Sequence, residues 1–222
     1  MRTDELSWDY LALARELVAQ AASLADIHTG GGEVLESLAP LPPKTIALEA
    51  WPPNVIEAHK RLTPLGVTVL TLDEEERYPL EDEAVELVLN RHGGPMALPE
   101  VERILTPGGR FLTQQVAGDS LADLSEAFGS HPKWLEHNSR IVARSAEACG
   151  LKVLDVREWQ GRTVFADVGA LVYFLVNVPW VVEGFSVARH RDTLEKLQAQ
   201  IDSRQPLSFT AKHFLLSARK TR

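Results

Sequence analysis

One stretch limits this chain more than any other. It is Ala25-Asp26-Ile27-His28-Thr29-Gly30-Gly31-Gly32-Glu33, followed by an apolar run that closes on Glu49. It reads as strand, glycine turn, helix, strand, acid. Consecutive glycines between a strand and a helix permit positive φ and let the backbone approach a ligand closely. The helix start that follows offers N–H groups without intrahelical partners. A carboxylate ending the second strand, here Glu49, can accept two hydrogen bonds from a ribose diol. Taken singly, the glycines have a second reading as a tight turn without a ligand, and Glu49 as a surface acid. Together they favour a nucleotide-like ligand.

The remaining pattern supplies the sheet around this unit. A leading amphipathic helix is expected over Leu6–Ala21, from the spacing of Leu11, Leu13, Leu17 and Val18. Strands are expected over Ser23–Thr29, Lys44–Ala50, Val67–Asp73, Ala84–Asn90, Arg110–Val116, Leu151–Trp159 and Leu207–Arg219. Between them lie helical segments over 33–38, from Pro52-Pro53 to Leu62, and over 98–105, 120–128 and 139–149. Pro107-Gly108-Gly109 reads as a helix stop. An apolar helix near Val168–Val178 and a polar one over Ser186–Ile201 precede the last strand. Strands alternating with helices imply an α/β fold with a doubly wound, mostly parallel sheet, its ligand edge at the carboxyl ends of the strands. The chain reads as a single domain, 1–222. A leading helix falls within 1–21, a ligand-binding core over 22–160, a substrate or lid segment over 161–206, and the last strand and tail over 207–222.

Bulk properties narrow the partners. The chain has 222 residues, 45% of them hydrophobic, enough for one domain with a real core. A net charge of -8 argues against a nucleic-acid partner, which needs a basic face. Cys149 is the only cysteine, so no internal disulfide or multi-cysteine zinc site is expected, and no close-paired histidine motif suggests a metal. Met1-Arg2-Thr3-Asp4-Glu5 is mixed and charged, unlike a secretory leader, so a cytoplasmic location is expected. The apolar run Val164–Val182 holds Asp167, Asn177 and Pro179, so no membrane span is expected there.

The candidate site residues sit at carboxyl ends of expected strands. Asp73 and Glu74 follow the third, where a carboxylate can accept from an adenine amino group. Glu75 and Glu76 share that loop, which leaves a solvated acidic loop as the other reading. Asn90-Arg91-His92 follows the fourth, where a substrate would meet a transferred group. Arg91 and His92 are therefore substrate candidates. His92 is the candidate catalytic base, or else a packed or solvent-facing histidine. Trp180, with Tyr173 and Phe185, could form an aromatic wall for a planar substrate or belong to the core, while Phe174 is expected in the core. The chain has no phosphate-binding Gly-x-x-x-x-Gly-Lys-Ser/Thr loop. A dinucleotide fingerprint would need a third glycine at Leu35.

From Ser23 to about Val116 the chain resembles the core of the class I S-adenosylmethionine-dependent methyltransferases. The matching pieces are ADIHTGGGE, IALEA, YPLEDEAVELVLNRH and EVERILTPGGRFLTQQV, in the family's order and spacing over roughly two fifths of the chain. The resemblance implies a seven-stranded sheet with an antiparallel last strand, and S-adenosylmethionine as cofactor. It implies Asp26, Gly30 and Gly32 around the methionine part, Glu49 on the ribose and Ala50 against the adenine; His28 and Thr29 of the same turn are cofactor-binding candidates with them. Asp73 or Glu74 would take the adenine amino group, and Asn90 would lie beside the sulfonium. The family usually has glycine where His28 stands. Either the turn is shifted onto Gly30-Gly31-Gly32, or cofactor affinity is reduced, or the chain no longer binds it, in that order of expectation. The carboxyl-terminal third, ALVYFLVNVPW with a polar helix and final strand, is similar in layout to bacterial ribosomal RNA guanine-N1 methyltransferases. Those enzymes carry an amino-terminal zinc module not seen in this sequence.

The leading expectation is methyl transfer to a small-molecule acceptor. A structured-RNA acceptor is the second, and would be supported by a basic surface of Arg189, Arg191 and Lys212. A non-catalytic binding protein is the third. The sequence carries no signal for an oligomeric state.

Overall fold

The computed structural model describes residues 1–72, 77–93 and 96–221. In chain order the elements are β1 (Arg2–Thr3), α1 (Tyr10–Val18), β2 (Ser23–Ile27), α2 (Glu33–Glu36), β3 (Lys44–Glu49), α3 (Pro52–Leu62), β4 (Thr68–Thr71), β5 (Val85–Arg91) and α4 (Leu98–Ile104). They continue with β6 (Leu105–Val116), α5 (Ala122–Ala127), α6 (Ser139–Ala148), β7 (Leu151–Phe165), α7 (Val168–Asn177), α8 (Arg191–Asp202) and β8 (Leu207–Lys220).

The chain divides into two compact units. One comprises Trp8–Gln115, Ser139–Arg157 and Phe214–Arg222; the other comprises Met1–Ser7, Val116–Asn138 and Glu158–His213. Hydrogen bonding orders the strands β1-β7-β8-β6-β5-β2-β3-β4. β2 is parallel to β3 and β5, β3 to β4, and β5 to β6. Strand order reverses at β2, which lies between β3 and β5, so the switch point falls at its carboxyl end. β8 runs antiparallel to β6: Arg110 reaches Ser217, whereas Ala117 N–H reaches the Lys212 carbonyl. It is antiparallel to β7 as well, since Arg162 bonds Ser208 while Thr221 bonds the Gly150 carbonyl. The expected mostly parallel sheet with an antiparallel last strand is therefore present. The short β1 adds an eighth strand, antiparallel on β7, that the sequence pattern did not announce.

In the first unit the central parallel strands β2 and β3 are buried on both faces. Every residue of β2 is buried, as are five of six in β3. That is why their sequences run apolar instead of alternating. The leading helix is shorter than expected. Asp9 caps it by accepting from Ala12 N–H at 3.0 Å. Its buried stripe is Tyr10, Ala14 and Val18, at four-residue spacing, and not the leucines that suggested it. Pro107-Gly108-Gly109 does not separate a helix from a strand. It lies inside β6, where the pairing with β5 slips between Val85 and Leu87, and Gly108 takes φ of 79°.

The second unit has its own core. Leu124 and Phe128 pack with Phe165, Leu171, Leu175, Val182, Leu194, Leu197, Leu207 and Phe209. Phe174 packs against that cluster, with its ring centroid 5.3 Å from that of Phe165, as expected for a core residue. Among the described residues no helix is long and apolar enough to cross a membrane. The apolar Val164–Val182 run is instead spent on a ten-residue helix, α7, and its flanks.

Candidate functional site

At the switch point, β2 stops at Ile27 and the next residue turns left-handed: His28 has φ of 56°. Histidine tolerates this region better than a branched residue does. The left-handed steps of this turn fall at His28, Gly30 and Gly32. Thr29 N–H donates to the Leu48 carbonyl at 3.0 Å, tying the turn to β3. Gly30 follows with φ of 65°, and a Cβ added there would meet nothing within 4 Å among the described residues. Gly32 caps α2 against Leu62 of α3. Arg61 of α3 latches the turn, donating to the Gly31 carbonyl at 2.9 Å and to Glu33 at 2.7 Å.

Two buried carboxyl groups flank this turn. Glu49, at the end of β3, is 5% exposed. Its Oε2 accepts from Gly30 N–H at 2.7 Å, and its Oε1 from the N–H groups of Ala50 and Trp51 at 3.0 and 2.9 Å. A carboxylate offers about four acceptor positions, so Glu49 holds the turn and keeps about one for a ligand. Asp26 accepts from Thr29 Oγ1 at 2.6 Å. Burial drives its pKa up to about 7; the Thr29 hydrogen bond opposes the rise and the Glu49 charge adds to it.

The end of β5 supplies the facing side. Asn90 is fully buried: its amide donates to the Ile27 carbonyl at 2.7 Å, and its oxygen accepts from Thr113 at 3.0 Å and from Gln115. Its side chain thus fastens β5 to β2 and β6. Tyr10 donates to the Asn90 carbonyl at 3.3 Å, and its ring lies 6.0 Å from the Arg91 guanidinium. Burial, then Asp26, push the Tyr10 hydroxyl well above its usual pKa, against opposing effects from Arg91 and the Asn90 hydrogen bond. His92, also left-handed at φ of 56°, donates its backbone N–H to Gln114 at 2.8 Å, and its Nε2 lies 2.8 Å from Gln114 Nε2. Gln114 in turn accepts from Trp8 Nε1 at 2.8 Å.

The structure therefore gathers Asp26, His28, Thr29, Gly30, Gly32, Glu49, Ala50, Asn90, Arg91 and His92 at one edge of the first unit. Ala50 contributes its backbone N–H to Glu49. Asp73 and Glu74 lie outside the described residues. Trp180 belongs to the second unit, where it is 54% exposed. Sequence reasoning missed Trp8, Tyr10, Gly93 and Gln114. The Gln114-Gln115 pair, polar inside an apolar strand, was the available signal for the last.

No protein-family model matches the sequence, and no curated protein matches it. Solved structures do match. A Bacillus halodurans protein described as a methyltransferase has a TM-score of 0.66 at 18% identity, covering 96% of this chain and 99% of its own. The YcgJ protein of Bacillus subtilis scores 0.66 at 20% identity, covering 96% and 98%. Geranyl diphosphate methyltransferase in complex with S-adenosylmethionine scores 0.57 at 14% identity, covering 95% and 85%. Likeness at these identities establishes the fold: the chain has the class I S-adenosylmethionine-dependent methyltransferase fold.

Proposed function

We propose that this chain transfers a methyl group from S-adenosylmethionine to a small-molecule acceptor. The observation that carries the proposal is the Glu49 carboxylate, held 2.7 Å from the N–H of Gly30, where an added Cβ would meet nothing within 4 Å among the described residues. A ligand backbone or ribose can approach there, and the remaining acceptor position of Glu49 suits a ribose hydroxyl. Ala50 would lie along the adenine, and Asp73 or Glu74 would accept from its amino group. Asp26, His28, Thr29, Gly30 and Gly32 would surround the methionine part. Asn90 would act by fixing the β5 end, since its own polar atoms are engaged by protein.

The cofactor supplies a methyl group on a sulfonium. The protein's part is to align donor and acceptor in line and to exclude water. Arg91 and His92 would meet the acceptor, and Trp180 is a separate candidate for contact with a planar group.

A small acceptor is favoured over RNA by the charges of the second unit. Lys212 pairs with Asp119, and Arg191 lies 4.0 Å from Glu195, so neither adds to an unopposed basic face. Incubation with methyl-labelled cofactor and fractionated cell extract tests the proposal. Label is expected in the small-molecule fraction. Label in RNA, or in no fraction, contradicts it.

A further inference from the structure

An indole N–H can only donate. Trp8 Nε1 lies 2.8 Å from Gln114 Oε1, so the oxygen of this amide is the atom turned toward Trp8. The NH2 of the same amide is then the group 2.8 Å from His92 Nε2. Two donors facing each other at that distance would leave both unsatisfied, so Nε2 accepts and the ring proton resides on Nδ1. Gln114 is 1% exposed and Trp8 7%, so protein partners set the orientation of the amide, while the His92 residue itself is exposed. The backbone reinforces the clamp, since His92 N–H donates to the Gln114 carbonyl.

We infer that Trp8 and Gln114 are positioning residues that hold His92 as its Nδ1–H tautomer, with Nε2 engaged by the Gln114 amide and so not serving as a general base. The role toward a ligand rests on the methyl-transfer reading of this edge; the tautomer does not. The acceptor must then bring a nucleophilic lone pair that needs no proton removal by His92.

Histidine-selective 15N NMR reads the tautomer directly. The wild-type protein is expected to show His92 protonated at Nδ1. Gln114→Glu turns an acceptor toward Nε2 and is expected to move the proton there. Trp8→Phe frees the amide to rotate and is expected to give a mixture. An Nε2-protonated wild type, or a tautomer unchanged in both variants whose amide fingerprints are native, overturns the assignment. Titrating S-adenosylmethionine into the same sample separates the two ideas. Absence of binding with the Nδ1–H form present overturns the methyl-transfer reading and leaves the tautomer assignment standing.

Discussion

The side chain of His28 occupies the space that a side chain at Gly93 would need: a Cβ on Gly93 would lie 2.5 Å from His28 Cβ and 2.9 Å from its Cγ. The two residues follow the carboxyl ends of neighbouring parallel strands, β2 and β5. A large residue at the start of the turn is accommodated because a residue without a side chain faces it.

This complementarity predicts coupling. Gly93→Ala should destabilise the fold by roughly 1–3 kcal/mol, the usual cost of overpacking. Adding His28→Gly should recover part of that loss, but not all, because Asn90 Nδ2 also lies 2.5 Å from the added Cβ. Urea unfolding of the wild type, both single variants and the double variant measures the coupling. Strict additivity contradicts it.

Asp26 predicts a pH dependence of stability. Burial raises its pKa from 3.8 to about 7, so the folded state holds a proton that the unfolded state has released between those values. Stability from this group is therefore full below about pH 4 and is lost as pH rises through 7, by on the order of 4 kcal/mol at most. Asp26→Asn should remove this decline, leaving the variant more stable relative to wild type at pH 8 than at pH 5. Urea midpoints at the two pH values decide the matter.

Glu49→Gln should loosen the turn. The three backbone N–H groups now satisfied by the carboxylate would face an amide with one oxygen and a donor end. An unsatisfied partly buried donor costs about 1–3 kcal/mol. Faster amide exchange at Gly30 and a lower melting temperature are the expected readouts.

Trp180→Ala should separate acceptor from cofactor. Its side chain is over half exposed, so stability should change by less than about 0.5 kcal/mol. Cofactor affinity should stay at the wild-type value, while KM for the acceptor rises about tenfold, equivalent to roughly 1.4 kcal/mol. An unchanged KM removes Trp180 from the acceptor site.

Much of the architecture was legible because buried parallel strands must be apolar and their connections must be helical. The turn, Glu49 and Asn90 could be placed by the same logic, since they end such strands. What the sequence hid was the detail set by tertiary contacts. The leucines of α1 outweigh Tyr10 in a hydropathy pattern, yet Tyr10 is the residue buried against Asn90. Gly93 looks like loop punctuation until His28 is seen beside it. The roles of Gln114 and Trp8 depend on a contact between residues 106 positions apart. The glycine-rich Pro107–Gly109 segment mimics a helix stop because bulge and stop demand the same backbone freedom.

Calorimetric titration with S-adenosylmethionine, run on the wild type and Glu49→Gln, tests the central claim most directly. One site per chain is expected for the wild type, with affinity at least tenfold lower in the variant. No heat from the wild type at millimolar ligand, or equal affinity in both proteins, would contradict the assignment of this edge as the cofactor site.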